Sequence, residues 1–230
     1  MHHLSRRMFG TLTHLVSFSS SGPVVPTMVD VTNKVSTLRA ARAEACVVIR
    51  GGWFGGDAPS PWWPHPGVEG AARGASASAA ESALITTAVV AGISAAKACG
   101  SLIPMCHPLP LLSAHVSIKR PIAATTPGGG QRDRDSDSDS DSVRDSDSVR
   151  DSVRNRDAEI WIVTDVSTVA GTGVEMEALC AASISALCLI DMLKGALPPG
   201  SLQLAHVKLL KKSGGKRNFD SQNSESDWYG

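Results

Sequence analysis

Residues 121–157 cannot help to build a core. After Pro127-Gly128-Gly129-Gly130 they run as repeated Asp, Ser and Arg. Such sequence buries too little apolar area to offset the entropy lost on ordering it. The segment reads as a disordered insertion, with a phosphorylated regulatory segment as the alternative because Ser stands beside Asp throughout. Its mixed charge signs argue against a nucleic-acid tail. The fold must therefore come from the sequence on either side. Before the insertion, Leu111–Lys119 alternates, with Leu112, Ala114, Val116 and Ile118 on one side, and predicts a half-buried strand. After it, Glu159–Val166 predicts another.

The remaining elements follow from periodicity and punctuation. Ala45–Ile49 is a short apolar run and reads as a buried strand, preceded by a polar segment carrying Arg39 and Arg42. Residues 82–100 read as a helix rich in Ala, Val and Ile, in which Gly92 permits close approach of a neighbour and Gly100 stops the helix. A second, longer helix is expected from Gly173 or Val174 to Leu193, capped by Thr172 and ended by Gly195 and Pro198-Pro199. Val207–Leu210 reads as a final strand. Two helices and about four strands imply an α+β sheet covered on one face.

Three stretches lie outside this pattern. Residues 1–27 contain no acidic residue and combine Arg6 and Arg7 with Ser and apolar residues, which suits a mitochondrial transit peptide and a matrix location. A plain disordered tail, with a cytoplasmic protein, is the alternative. Residues 51–80 are an atypical segment rich in Pro, Gly and Trp, whose prolines and glycines exclude a regular helix or central strand. The segment reads as an irregular loop with some rings tucked against the surface. Residues 217–230 read as a loose polar tail, leaving 28–216 as the domain.

Lys plus Arg and Asp plus Glu balance at 22 each, so no overall basic field argues for nucleic acid and any anion site must be local. The five cysteines, Cys46, Cys99, Cys106, Cys180 and Cys188, are odd in number and lack Cys-x-x-Cys spacing. This argues against a disulfide framework or a zinc ribbon and favours a reducing compartment. No uninterrupted apolar run reaches the roughly 18 residues of a membrane span.

Four blocks carry chemistry. In Ser101–Leu109, His107 follows Cys106 in a proline-rich turn, where it suits proton transfer or phosphate contact as readily as a structural role. Zinc is weakly indicated there, because no second ligand pair has suitable spacing. In Thr172–Leu179, Glu175 and Glu177 stand two apart, so on a helix they point about 200° from each other. Acids favoured by the helix N-terminus are the plainer explanation. In Ile190–Lys194, Asp191 and Lys194 share a helix face. A surface ion pair would explain them, but Asp191 interrupts the apolar run Leu187–Ile190, where a carboxylate is costly unless used or paired. In Lys211–Lys216, cations surround a glycine turn with free N–H groups, which suits phosphate, though the spacing is not that of a P-loop.

These blocks, with Met28–Val31, Thr37–Ala43 and Ala91–Lys97, resemble the MoaC family of cyclic pyranopterin monophosphate synthases, which act in molybdenum cofactor biosynthesis. The resemblance implies a ferredoxin-like antiparallel sheet with helices on one face. It also implies a homohexamer built as a trimer of dimers, with sites at subunit boundaries, a nucleotide-derived small-molecule substrate and no redox cofactor; charge, apolar-run length and ligand spacing separately lead us to expect no nucleic acid, membrane or metal. It places Met105, Cys106, His107, Glu175, Met176 and Glu177 against the substrate. It makes Asp191 and Lys194 catalytic and assigns Arg39, Lys212 and Lys216 to phosphate groups. Glu177 and Asp191 are fourteen positions apart, about 21 Å along a helix, too far for both to touch one reacting centre. Either the substrate is long, or the two helix ends serve different sites in an oligomer.

The chain departs from the family at three cations. Counting back from Ala91-Gly92-Ile93, a catalytic lysine becomes Glu81 and an arginine becomes Val89. The family's Gly-Lys-Thr-Gly is Ala170-Gly171-Thr172-Gly173. For the catalytic lysine, either another residue such as Arg73 substitutes, the chain is an impaired homologue serving as a binding or assembly subunit, or residues 51–80 have replaced the normal segment.

Overall fold

The structure is a computed structural model that describes residues 28–50, 75–123 and 157–221, with the short pieces 16–17 and 25–26; residues 75–78 and 120–123 are described by backbone alone. The expected insertion lies outside the described residues from 124 to 156. So do most of residues 1–27, residues 51–74 with Arg73 and the clustered tryptophans, and the tail beyond Ser221.

Strand β3 (Thr37–Ile49) is longer than its apolar run, because every second residue from Ala41 faces inward. Ala41, Ala43, Ala45, Val47 and Ile49 are buried on one face. Helix α1 (Ala75–Lys97) and the single turn α2 (Cys99–Leu102) lead to β4 (Leu111–Ala123). Next come β5 (Ala158–Ala170), α3 (Glu175–Leu193) and β6 (Leu202–Ser213). Two-residue strands complete the set: β7 (Phe219–Asp220) extends the sheet, whereas β1 (Val16–Ser17) and β2 (Val25–Pro26) pair only with each other.

The five-stranded sheet has the order β4-β5-β3-β6-β7 and is antiparallel throughout. Strand–helix–strand, repeated with β3 and β5 in the centre, is the split βαβ arrangement of ferredoxin-like folds. The fold is therefore α+β, with both long helices on one face. Helix α3 lies against β3, β5 and β6; α1 lies against α3 and β4.

Small side chains let these layers approach closely. Ala178, Ala181, Ala182 and Ala186 of α3 are fully buried, as is Ala88 of α1. A Cβ at Gly92 would stand 2.9 Å from the Ala181 carbonyl oxygen and collide with the Ser185 hydroxyl. That hydroxyl donates to the Ala88 carbonyl at 2.9 Å. The Thr164 hydroxyl of β5 donates to the Ala178 carbonyl at 2.8 Å, tying the sheet to α3. Both long helices contain stretches apolar and long enough to cross a membrane, contrary to the count of uninterrupted apolar residues. Here each turns its Ala-rich stripe onto the core.

The structure changes several expected boundaries. Helix α1 begins at Ala75, because Ala and Ser residues after Gly74 continue the helical pattern; the irregular stretch therefore ends before residue 80. A register shift between Leu111 and Ser113 puts Leu111 on the core and leaves Leu112 66% exposed, so Leu112 does not join Ala114, Val116 and Ile118. Backbone pairing continues β4 to Ala123, past the expected start of the insertion. Thr172 does not cap α3: Val174 holds the N-cap position, without a side-chain hydrogen bond. Phe219 and Asp220 pair with Lys212 and Lys211, carrying the sheet beyond residue 216.

Candidate active site

The N-terminal end of α3 gathers most of the predicted residues. Gly100 lets the chain turn back tightly, since a Cβ there would sit 3.0 Å from Pro108 Cα. The turn brings Cys106, half-buried like its neighbours Met105 and His107, to α3. The Cys106 thiol donates to Glu177 Oε1 at 3.7 Å and lies 3.7 Å from Cys99 Sγ. Cys180 Sγ is also 3.7 Å from Cys99 Sγ.

Glu177 is 2% exposed. Burial pushes its carboxyl above the ordinary range, against the opposing pull of its own backbone amide and the Cys106 thiol. Burial, followed by the Glu177 charge, likewise raises the Cys106 and Cys99 thiols. Glu175 points elsewhere, as its spacing requires. Its carboxylate folds over Gly173, where any Cβ would collide with it, and accepts from Lys212 Nζ at 3.1 Å. Met176 between them is exposed.

The phosphate candidates approach from the adjoining strands. Arg39 Nε donates to the Ala170 carbonyl at 3.3 Å, and Arg39 Nη1 passes over Gly215. Lys216 is exposed on the turn between β6 and β7. Gly214 has φ +86°, and a Cβ there would strike the Leu38 carbonyl. The Thr37 hydroxyl donates to the Gly214 carbonyl at 2.8 Å, and the Gly214 amide donates to Asn218 Oδ1 at 3.2 Å. This amide is thus already engaged, contrary to the expected free N–H groups. Lys211 is engaged as well, with Asp220 at 3.3 Å.

Asp191 and Lys194 lie at the other end of α3. Lys194 Nζ donates to Asp191 Oδ1 at 2.5 Å, with the side chains 69% and 67% exposed for Asp191 and Lys194. Asp191 thus bears no cost of burial, because its direction on the helix is outward, between the exposed Leu187 and Met192. The contacts Ala88–Ser185 and Gly92–Ala181 run in opposite senses along α1 and α3, and Cys99–Cys180 continues the trend into α2. That antiparallel packing places Glu81 near the Asp191 end. Glu81 is 5% exposed and lies on the buried stripe of α1 with Leu84 and Ala88.

Within one chain the predicted residues therefore form two groups separated by most of the length of α3. Sequence spacing overlooked Cys99 and Cys180 as neighbours of Cys106. It also overlooked Lys34, whose Cβ packs 3.2 Å from the Cβ position of Gly171, beside the loop where a family lysine is missing. Only tertiary packing brings these positions together.

The MoaC family model matches residues 72–215. A cyclic pyranopterin monophosphate synthase 3 of Mycobacterium tuberculosis (strain ATCC 25618 / H37Rv) is 32% identical over 95% of this chain and 93% of its own length. The cyclic pyranopterin monophosphate synthase of Deinococcus radiodurans is 31% identical over 89% of this chain and 86% of its own. That of Methylobacterium sp. (strain 4-46) is 32% identical over 90% and 93%. Sequence and fold agree: the chain belongs to the MoaC family.

Proposed function

We propose that this chain is a lyase of molybdenum cofactor biosynthesis that converts the cyclic dihydro-GTP intermediate into cyclic pyranopterin monophosphate and releases pyrophosphate. Its family supports the pathway, and the names of its relatives support the reaction. The observation that carries the reading is the division of chemical labour along α3. At one end Cys106 meets Glu177, with Met105, His107 and Met176 next to them in sequence, and Glu175 holds Lys212, with Arg39 and Lys216 on the adjoining strands. These residues hold the substrate and its phosphates. At the other end Asp191 and Lys194 present a carboxylate and an ammonium to solvent, able to accept and donate protons.

Because the two groups cannot meet on one reacting centre, the working site takes one group from each of two chains. The exposed Leu187 and Met192 beside Asp191 support its coverage by a second subunit. A homohexamer, as a trimer of dimers, supplies such boundaries. The acid-free N-terminus supports a mitochondrial matrix location. A reporter fused to residues 1–27 that stays in the cytoplasm would favour the cytoplasmic alternative.

A second reading rests on Glu81. A buried acid where the family keeps a catalytic lysine suits a folded subunit that binds without turning over. Incubating the purified chain with the cyclic intermediate and following pyrophosphate separates the readings. Release supports the enzyme, whereas none from a folded oligomer removes the enzymatic reading. Turnover restored by Glu81→Lys would support the impaired-homologue account.

A further inference from the structure

We propose that Cys99, Cys106, Cys180 and Glu177 form a binding site for a thiophilic divalent cation of the zinc class. The ligand atoms of Cys99, Cys106 and Glu177 all lie within 4.8 Å of one another. Cys180 Sγ stands 3.7 Å from Cys99 Sγ but outside that mutual spacing, and it becomes the fourth ligand by moving toward the cation as it binds. A tetrahedral zinc with Zn–S bonds of about 2.3 Å has S···S edges of about 3.8 Å. The Cys99–Cys106 and Cys99–Cys180 separations, both 3.7 Å, match that edge.

The supporting framework is two plus two. Glu177 and Cys180 stand one turn apart on α3 and share a face. Cys99 begins α2, and Cys106 returns to it through the turn fixed by Gly100 and Pro108. Cysteines that only fill a core pack against aliphatic side chains. These three converge with a carboxylate, and the side-chain partners of that buried carboxylate are the thiols of Cys106 and Cys99. A thiol is a weak donor and a poor partner for a carboxylate, whereas a dication satisfies both. Thiolate donors select zinc, cobalt or cadmium over magnesium or calcium. Each ligating thiol gives its proton to water, and the cation's two positive charges offset half of the charge of three thiolates and one carboxylate. Cys106 and Cys180 are partly exposed and supply the entry path. The two other cysteines do not join the group: Cys46 is buried on β3, and Cys188 faces Met192.

The test is an anaerobic titration of the full-length, untagged, reduced chain with Co²⁺, which reports thiolate ligation by charge-transfer absorption and tetrahedral geometry by intense d–d bands. We expect both signals to saturate at one Co²⁺ per chain and to be displaced by Zn²⁺. Cys99→Ser and Cys180→Ser should each weaken binding at least about tenfold, and Cys188→Ser should leave it unchanged. Should Cys99→Ser fail to fold, the half-buried Cys106→Ser carries the same expectation. A folded chain with no charge-transfer band overturns the proposal, as does a band that survives all three cluster variants or vanishes with Cys188→Ser.

Discussion

At the N-terminal end of α3, Glu177 is buried against the Cys106 thiol, and Glu175 is held by Lys212 from a neighbouring strand. At the C-terminal end, Asp191 and Lys194 pair with each other and face solvent between exposed apolar side chains. One end is assembled by segments distant in sequence; the other is left open by its own chain. Pre-organisation at the first end suits binding, which needs groups held in place before the ligand arrives. Openness at the second suits the proton-transfer role proposed for Asp191 and Lys194, with a second subunit placing them.

If that contrast is functional, the largest effect should come from the open end. Asp191→Asn should lower pyrophosphate release by about 10²–10⁴ while barely moving the melting temperature. Normal turnover in the variant would make Asp191 a plain surface acid. The next test disturbs the frame that joins the two ends. Gly92→Ala should destabilise the chain by about 1–3 kcal/mol in a denaturant melt, because its Cβ meets Ser185 and Ala181 at the crossing of α1 and α3. An unchanged midpoint would mean that the crossing is loose.

Glu177 sharpens the contrast through pH. Burial raises its carboxyl above 4.5, so the folded chain holds this proton more tightly than the unfolded chain. Folded stability should therefore fall as pH rises from about 4.5 through the folded value. In metal-free buffer Glu177→Gln should melt higher above that window, by about 1 kcal/mol, with a smaller gain at and below pH 4.5. A gain independent of pH would refute burial as its source. The smallest effect belongs to Lys194→Ala, whose exposed pair should contribute no more than about 1 kcal/mol, read by thermal melting. A larger loss would show that the C-terminal end is already structured within one chain.

Much of this arrangement was legible from local pattern. The apolar run in β3, the alternation in β4 and the Ala-rich helices imply a sheet with one covered face, and the Glu175–Glu177 spacing implies divergent side chains; Gly100, read as a helix stop, instead lies within α2, the helix having ended at Lys97. The misreadings occurred where a neighbour overrides local pattern. Leu112 fits the strand period, but a register shift turns it out. Asp191 sits in an apolar run, yet its face of α3 is bare. Thr172 is a good cap by type, but Val174 begins the helix. Cys99, Cys106 and Cys180 have no metal-site spacing, because three separate segments deliver them. The separation of Glu177 from Asp191 was readable from helix rise alone.

The most direct test of the divided site is complementation between two disabled chains. Glu177→Gln and Asp191→Asn variants, each inactive alone, are unfolded together and reassembled in equal amounts, beside an unaltered chain that releases pyrophosphate. If each site takes its two ends from different subunits, about a quarter of the sites regain both intact groups, and pyrophosphate release should recover to about that fraction. A mixed oligomer that forms yet stays as inactive as its parents would contradict the account.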